Sequence, residues 1–467
     1  MRRFALLLTL FAILLGGYLR CAGLGNLEMS DDEGASWAAA AAPTLGRVIA
    51  LQARLNPGKM AVHEVILHGW MAVFGDSLVA QRALSALLGT ISIALVFWIA
   101  YELCAPAPDS AGDDEIDRAA MIAALSAIVY AVNLVTIKYS REARMYPVML
   151  AATLAQTGFF VRASRRGRIV NYVGAAVFAA IAIAANFTAA LIPATEGFWL
   201  LYLFARSGIR PASAEARRAW GLVAALAIAA VAFLPLLMPA LRGATAAVEN
   251  GAIEWIKAPP IWEPIALFNK ATGSFGFPVL AVVAAYGVAR GRHHEHDAVW
   301  FSLLWMWAPP ILMIVASYAI RPLFVERYAL SCFAPFFMLV GIGIWEIGDR
   351  RWRVATFAIV VAVSLGHIVV YDRKPHDAEW REAALLGVAN LHPGESVTTV
   401  PSYSISVVRY YLPPSDRART INFVRGSQEA SVVLLRDHGV APAVEKAIHT
   451  EYPMELAHLR GVVVLRK

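Results

Sequence analysis

Residues 2–33 read RRFALLLTLFAILLGGYLRCAGLGNLEMSDDE, and the way this stretch is parsed settles the class of the whole chain. Arg2 and Arg3 precede an apolar run from Phe4 to Leu19, the pattern of either a secretory signal or a first membrane helix. The following Tyr18-Leu19-Arg20-Cys21-Ala22-Gly23 lacks a small-residue cleavage site, and Arg20 before Cys21 does not suit lipoprotein processing. The run is therefore expected to remain as a helix with its basic end in the cytoplasm, which puts Asp31, Asp32 and Glu33 just beyond the opposite membrane face.

The rest of the composition agrees with a lipid solvent. Of 467 residues 59% are apolar and 16% charged, whereas soluble domains carry roughly 45–50% and about 25%. A soluble globular protein is excluded. The net charge of +7 does not point to nucleic acid, because the basic residues lie in short clusters between apolar runs, where they act as orientation signals. Cys21, Cys104 and Cys332 are too far apart for a disulfide framework or a zinc site.

Runs long enough to cross about 30 Å of hydrocarbon, which takes about 20 residues, fall near 79–103, 119–137, 145–161, 169–186, 188–205, 219–239, 274–289, 298–319, 329–347 and 354–371. With the first run they predict about eleven transmembrane helices. Arg162, Arg165, Arg166 and Arg168 form one basic cluster, and Arg206, Arg210, Arg217 and Arg218 another. Arg290 and Arg292, then Arg350, Arg351 and Arg353, complete a set that threads to the side of Arg2 and Arg3. Short loops there hold about 16 Lys and Arg in about 51 residues, against about 12 in about 108 opposite, as the positive-inside bias requires. Since 169–205 lies between two such clusters, it must be a helical hairpin, turning near Asn186-Phe187-Thr188.

The outer face receives 20–78, 138–144, 240–273, 320–328 and everything after about Asp372. In 20–78, Ala61 to Phe74 alternates Val62, Val65, Ile66, Met71, Val73 and Phe74 with His63, Glu64 and His68, an amphipathic stretch suited to the membrane interface, and Arg47 to Leu55 is a second one. The tail from 372 to 467 has soluble composition. Strands are expected at Val397 to Val400, Ser431 to Leu435 and Val462 to Leu465, and helices at Trp380 to Leu391 and Ala443 to Tyr452. The expected fold is an all-α polytopic membrane module over 1–371, with interfacial helices in its first outer loop, followed by a small α/β domain. Segment 107–118 is an acidic cytoplasmic loop.

Three outer-side features can carry chemistry. Carboxylates as close to lipid as Asp31, Asp32 and Glu33 are costly unless hydrated, paired or bound to a cation, so they are either a solvated loop cap or a site. Lys138-Tyr139-Ser140-Arg141-Glu142-Ala143-Arg144-Met145-Tyr146 puts three cations where the charge bias disfavours them, so an anion is expected to compensate, either a nearby carboxylate or a ligand. Phe324-Val325-Glu326-Arg327-Tyr328 is the third, a binding element or an interfacial anchor. The tract His293-His294-Glu295-His296-Asp297 has metal-binding composition, but it threads to the cytoplasmic side and reads as a solvated loop.

Together these strings resemble the membrane-embedded glycosyltransferases of the GT-C fold, in particular the glycosyltransferase family 39 type that includes protein O-mannosyltransferases and the lipid A aminoarabinose transferase. The resemblance covers most of 1–350. It rests on Asp31-Asp32-Glu33, on Phe74-Gly75-Asp76-Ser77 followed by Gln81-Arg82-Ala83-Leu84-Ser85-Ala86, on Tyr139 to Tyr146, and on Glu326-Arg327-Tyr328 with Pro335 following. It departs from the family where a His-Pro-Pro-Leu-like stretch is common, since this chain reads Asn56-Pro57-Gly58-Lys59-Met60-Ala61-Val62-His63.

The resemblance implies transfer of a sugar from a polyprenyl-phosphate carrier to an acceptor hydroxyl of a lipid, glycan or protein at the outer face of a bacterial inner membrane. By motif position Asp32 is the base or acceptor-positioning group and Glu33 its companion. Attack by a hydroxyl needs a carboxylate near its proton, and a departing lipid phosphate wants cations, which Arg141 and Arg144 can supply, with Tyr146, Lys138 and Arg327 as further phosphate contacts. Asp31, Lys59, His63 and Trp255 are candidate acceptor or sugar contacts. A divalent cation on Asp32 and Glu33 stays open. The rival readings are a flippase or transporter of lipid-linked sugars and a non-catalytic assembly subunit.

Overall fold

The structure is a computed structural model that describes residues 1–56, 58–106, 112–249, 256–373, 378–422, 430–437 and 440–467. Its helices run α1 (Arg2–Cys21), α2 (Asp31–Ala40), α3 (Leu45–Leu55), α4 (Val62–Phe74), α5 (Leu78–Cys104), α6 (Asp113–Ala131), α7 (Leu134–Ser140) and α8 (Tyr146–Arg166). There follow α9 (Ile169–Ala185), α10 (Leu191–Ser207), α11 (Ala214–Glu249), α12 (Glu263–Thr272), α13 (Gly276–Gly291), α14 (His296–Ala319), α15 (Phe333–Glu346) and α16 (Arg350–Asp372). The remainder is α17 (Trp380–Ala389), β1 (Val397–Val400), α18 (Ile405–Tyr411), α19 (Pro414–Arg417), β2 (Val432–Arg436), α20 (Pro442–Glu451), β3 (Met454–Leu459) and β4 (Val462–Arg466).

Each of the eleven apolar runs contains a helix. Fewer of them qualify as spans by length and apolarity. Among the described residues six helices do so, and two bent pairs, α6 with α7 at 61° and α12 with α13 at 111°, raise the number to eight. The remaining three of the eleven helices fall outside that measure for two physical reasons. Ile169–Ala185 and Leu330–Glu346 are apolar but shorter than a span. Helix α8 is buried from Tyr146 to Gly158 and holds Thr153, Gln156 and Thr157 inside the protein, where it need not be apolar on every side.

The chain divides into two units. The first comprises 1–22, 58–62 and 83–373, and the second 23–57, 63–82 and 374–467. The first outer loop thus groups largely with the C-terminal segment.

In the first unit, α6 and α15 form the centre, with every residue from Ala119 to Ala131 and from Phe333 to Ile344 buried. Close packing there depends on missing side chains. A Cβ on Gly341 would overlap Ser126 of α6, and one on Gly343 would overlap the Val283 carbonyl of α13, the small-residue packing that substitutes for hydrophobic drive in lipid. One end of the bundle is tied by charge. The N-terminal ammonium reaches Asp117 at 3.0 Å, Arg2 bonds Asp113 and Asp117, and Arg118 pairs with Glu295 at 3.0 Å and Glu346 at 2.6 Å. The acidic segment expected as a loop is already helical from Asp113, with three acids in a first turn that favours negative charge. Of the histidine-rich tract, the histidines are exposed, but Glu295 is buried against Arg118 rather than solvated. Burial pushes its carboxyl up to about 7, against the pull of Arg118.

At the other end, Arg20 is buried and donates to the carbonyls of Gly16 and Ala131 and to Thr136 Oγ1 at 2.9–3.0 Å. Asn133 breaks the bent pair by capping α7 through Val135 N–H. Helix α9 ends at Asn186, whose side chain accepts from Thr188 N–H. Helix α11 continues past Pro239 to Glu249, and α12 occupies 263–272, so 240–273 is not a plain loop.

In the second unit the sheet order is β1-β2-β4-β3, with β1 parallel to β2 and the other pairs antiparallel. Val432, Leu434, Val462 and Val464 face one core with Trp380, Val407 and Trp37, while Val433, Leu435, Val463 and Leu465 face another with Ile448 and Tyr452. This is the period-two alternation of a sheet covered on both faces. Helix α2 packs on α18, with Gly34 against Val407 and Trp37 edge-on to Tyr410.

Two outcomes follow from this architecture. Gly343→Ala should destabilise the folded protein by about 1–3 kcal/mol through overpacking, seen as a lower melting temperature in detergent, whereas Ala at the open Gly366 should not. Because Glu295 is raised in the folded state, its contribution to stability is complete below the ordinary carboxyl range and is lost as pH rises through about 7. Melting curves from pH 5 to 8 should therefore flatten in Glu295→Gln.

Candidate active site

The acidic triplet sits at the start of α2, and helical geometry sends its three carboxylates different ways, since neighbours are about 100° apart. Ser30 caps the helix: its hydroxyl accepts from Glu33 N–H at 3.3 Å, and its own N–H donates to Glu33 Oε2 at 3.0 Å. The same Glu33 meets Arg82 in a bidentate pair, Nε to Oε1 and Nη2 to Oε2, both at 2.8 Å. Arg82 spends its remaining donors on the carbonyls of Leu24, Leu27 and Glu28, each at 2.8 Å. Glu33 and Arg82 are almost fully buried. Glu33 thus has a cap and an ion pair to serve. Among the described residues no group of three or more His, Cys, Asp and Glu converges as metal ligands.

Asp31 points to the C-terminal sheet, pairing with Arg436 at 2.8 Å. Burial raises its pKa, opposed by Ser404 and Arg436. Asp32, half-buried, lies between the two directions. One turn on along the same face is Ser36, which donates to Glu64 Oε1 of α4 at 3.1 Å. Glu64 and His63 are each 1% exposed. His68 meets the Ala40 carbonyl at 2.8 Å, which keeps α4 beside α2. Tyr411 takes the Met29 N–H at 2.7 Å, fixing the approach to the triplet.

The cationic turn belongs to the first unit, between α7 and α8. Arg144 is 2% exposed and its N–H donates to the Glu142 carbonyl at 2.8 Å. Tyr146 opens α8, its ring edge-on to Tyr139 at 5.7 Å. Arg327, remote in sequence, lies over the Tyr146 ring at 5.7 Å, and the Lys138 ammonium over Tyr139 at 5.0 Å. Lys138 and Arg327 thus lie against the Tyr139–Tyr146 pair, and Arg144 is buried two residues before Tyr146. Arg141 is engaged otherwise: Nε and Nη2 donate to the Leu19 carbonyl at 3.1 and 2.7 Å and Nη1 to Asp372 at 2.8 Å, which clasps α1 to the end of α16. Lys59, half-buried, falls in the short segment 58–62 of this unit, and Trp255 lies outside the described residues.

Two participants carried no role in the sequence reading. Arg82 had a signal, a cation on the face that disfavours one. The Ser36–Glu64 bond joins residues 28 apart and had none.

The helical bundle, together with a unit built of the first loop and the C-terminal α/β segment, matches the GT-C fold of membrane-embedded glycosyltransferases. The chain superposes on ArnT from Cupriavidus metallidurans, in the apo state and bound to undecaprenyl phosphate, with a TM-score of 0.63 at 12% identity, over 99% of this chain and 97% of that one. The Archaeoglobus fulgidus oligosaccharyltransferase, solved in complex with Zn and sulfate, gives 0.60 at 12% identity over 92% of this chain and 68% of that one. Arabinofuranosyltransferase AftD from Mycobacteria gives 0.50 at 14% identity, over 100% of this chain and 41% of that one. No family model and no curated protein sequence matches the chain.

Removing one partner of the Arg82–Glu33 pair should cost about 3–5 kcal/mol, because it strands a buried charge. Arg82→Ala is accordingly expected to lose most folded protein on size-exclusion chromatography, and Arg82→Ala with Glu33→Gln to recover part of it.

Proposed function

We propose that this chain is a glycosyltransferase that takes a monosaccharide from a polyprenyl-phosphate donor and passes it to an acceptor hydroxyl at the outer face of a bacterial inner membrane. The observation that carries the reading is the stacking of Arg327 and Lys138 on Tyr146 and Tyr139, in the turn that also buries Arg144, in a bundle of GT-C fold. A phosphate needs no acid to leave, only positive charge to receive it, and arginine offers that charge with paired donors. Undecaprenyl phosphate is the ligand of one ArnT structure, which supports the same class of carrier here.

In this reading Arg144 holds the donor phosphate, Arg327, Lys138 and Tyr146 complete its surroundings, and Asp32 takes the proton of the attacking hydroxyl. The hydroxyl oxygen bonds to the anomeric carbon as the bond from that carbon to the phosphate oxygen breaks. The carrier leaves as polyprenyl phosphate, and a single displacement inverts the anomeric centre. Glu33 acts on Asp32 by position, through the cap and the Arg82 pair. Residues 372–467 form an outer-face domain, and the N-terminus is cytoplasmic, as the charge asymmetry of the loops supports.

The test is transfer of radiolabelled sugar from a panel of polyprenyl-phosphate sugars, in membranes with equal amounts of wild type, Asp32→Asn or Arg144→Ala. Wild type should form product with an inverted anomeric centre, and each variant should lose at least about a hundredfold in rate, the scale of a lost general base. Movement of lipid-linked sugar across the bilayer without product, equal in all three, would replace this reading with a flippase.

A further inference from the structure

At the end of the bundle that carries the N-terminus, away from the Arg144 turn, the first unit encloses a cavity of about 740 Å³. It opens where α5, α8 and α10 end and where α6, α11 and α14 begin. Its walls change character with depth. Val161, Trp199 and Leu203 are buried, whereas Arg165 and Arg206 stand four and three residues further toward the helix ends, roughly 5–6 Å along a helix at 1.5 Å per residue.

The charges of the lining are unevenly paired. Arg118 is matched by Glu295 and Glu346, and Arg206 by Glu215 and Asp297. Glu115 turns back to cap its own helix through Gly112 N–H. Arg165 instead donates to the carbonyls of Glu102, Leu103 and Ala105 at the end of α5, while Glu102 is taken by Arg162 and Arg166. Arg218 also lines the cavity, and its Nε is a buried donor with no partner in the structure. The lining thus balances four arginines against four carboxylates, but among the described residues Arg165 and Arg218 have no carboxylate in an ion pair, and they stand above an apolar floor at the membrane face.

We infer that this cavity binds the phosphate headgroup of an anionic phospholipid from the leaflet on the N-terminal side. Arg165 and Arg218 face the phosphate and the Trp199 and Leu203 level receives the adjoining glycerol and first methylenes. A cationic pocket between helices at the cytoplasmic face suits such a ligand, and a guanidinium suits phosphate better than a lysine ammonium does. The two guanidiniums without a carboxylate partner accept an anion, while the apolar floor selects an amphiphile over a free ion.

The test uses the full-length protein in a neutral detergent. Its melting temperature is followed while phosphatidylglycerol, phosphatidylcholine or inorganic phosphate is added, and bound lipid is counted by native mass spectrometry. Phosphatidylglycerol should raise the melting temperature and stay bound, and phosphatidylcholine and inorganic phosphate should not. Arg218→Gln should weaken the phosphatidylglycerol response about tenfold, with Arg165→Gln as the second variant, whereas Arg292→Gln, a basic residue of the same face outside the cavity, should respond as wild type. If Arg218→Gln folds poorly, the lipid count on its folded fraction decides. An equal count in Arg218→Gln and wild type, an equal loss in Arg292→Gln, or a shift reproduced by inorganic phosphate alone would overturn the assignment, the last in favour of a soluble phosphate ligand.

Discussion

The bidentate contact between Arg82 and Glu33 is the interaction on which the acidic half of the chemistry depends. With all five guanidinium donors placed, Arg82 fixes three carbonyls of 24–28 and the third residue of α2 in one act. A buried pair of this kind adds little net stability, because desolvation offsets most of the attraction. What it adds is direction. Once Glu33 is held by Arg82 and Asp31 by Arg436, the rotation of α2 is set, and Asp32 and Ser36 share the face that meets Glu64.

The cationic half has a parallel logic. Arg141 and Arg144 are three residues apart and look equivalent in the sequence, yet one clasps the ends of two helices and the other is buried just before Tyr146, on whose ring Arg327 lies. In the proposed transfer the two arginines divide the work, Arg141 keeping the scaffold in register and Arg144 being the candidate to meet the phosphate.

The sequence showed the positions of the apolar helices well, since apolar length is a one-dimensional property, and it located β1 and the break at Asn186. Length and apolarity alone leave out a helix that is short, as at 169–185, or one whose polarity hides inside the bundle, as in α8. It missed β3, whose Met454-Glu455-Leu456-Ala457-His458-Leu459 lies at a sheet edge and is half solvent-facing, so it lacks a strand's usual alternation. It read Asp31-Asp32-Glu33 as one unit, because a string of identical charges carries no record of the 100° rotation between neighbours. The partners that separate them, Arg82 and Arg436, are distant in the chain and became visible only in three dimensions.

Arg20 has consequences for how the protein is made. Its acceptors at Ala131 and Thr136 lie 111 and 116 residues downstream. At a synthesis rate of about 5–20 residues per second, they emerge roughly 5–25 s after Arg20 itself. During that interval the guanidinium has to be served by water and lipid headgroups. The final seat of the first helix in the bundle is therefore completed by acceptors at the end of α6 and in α7 that are not yet translated when Arg20 is made.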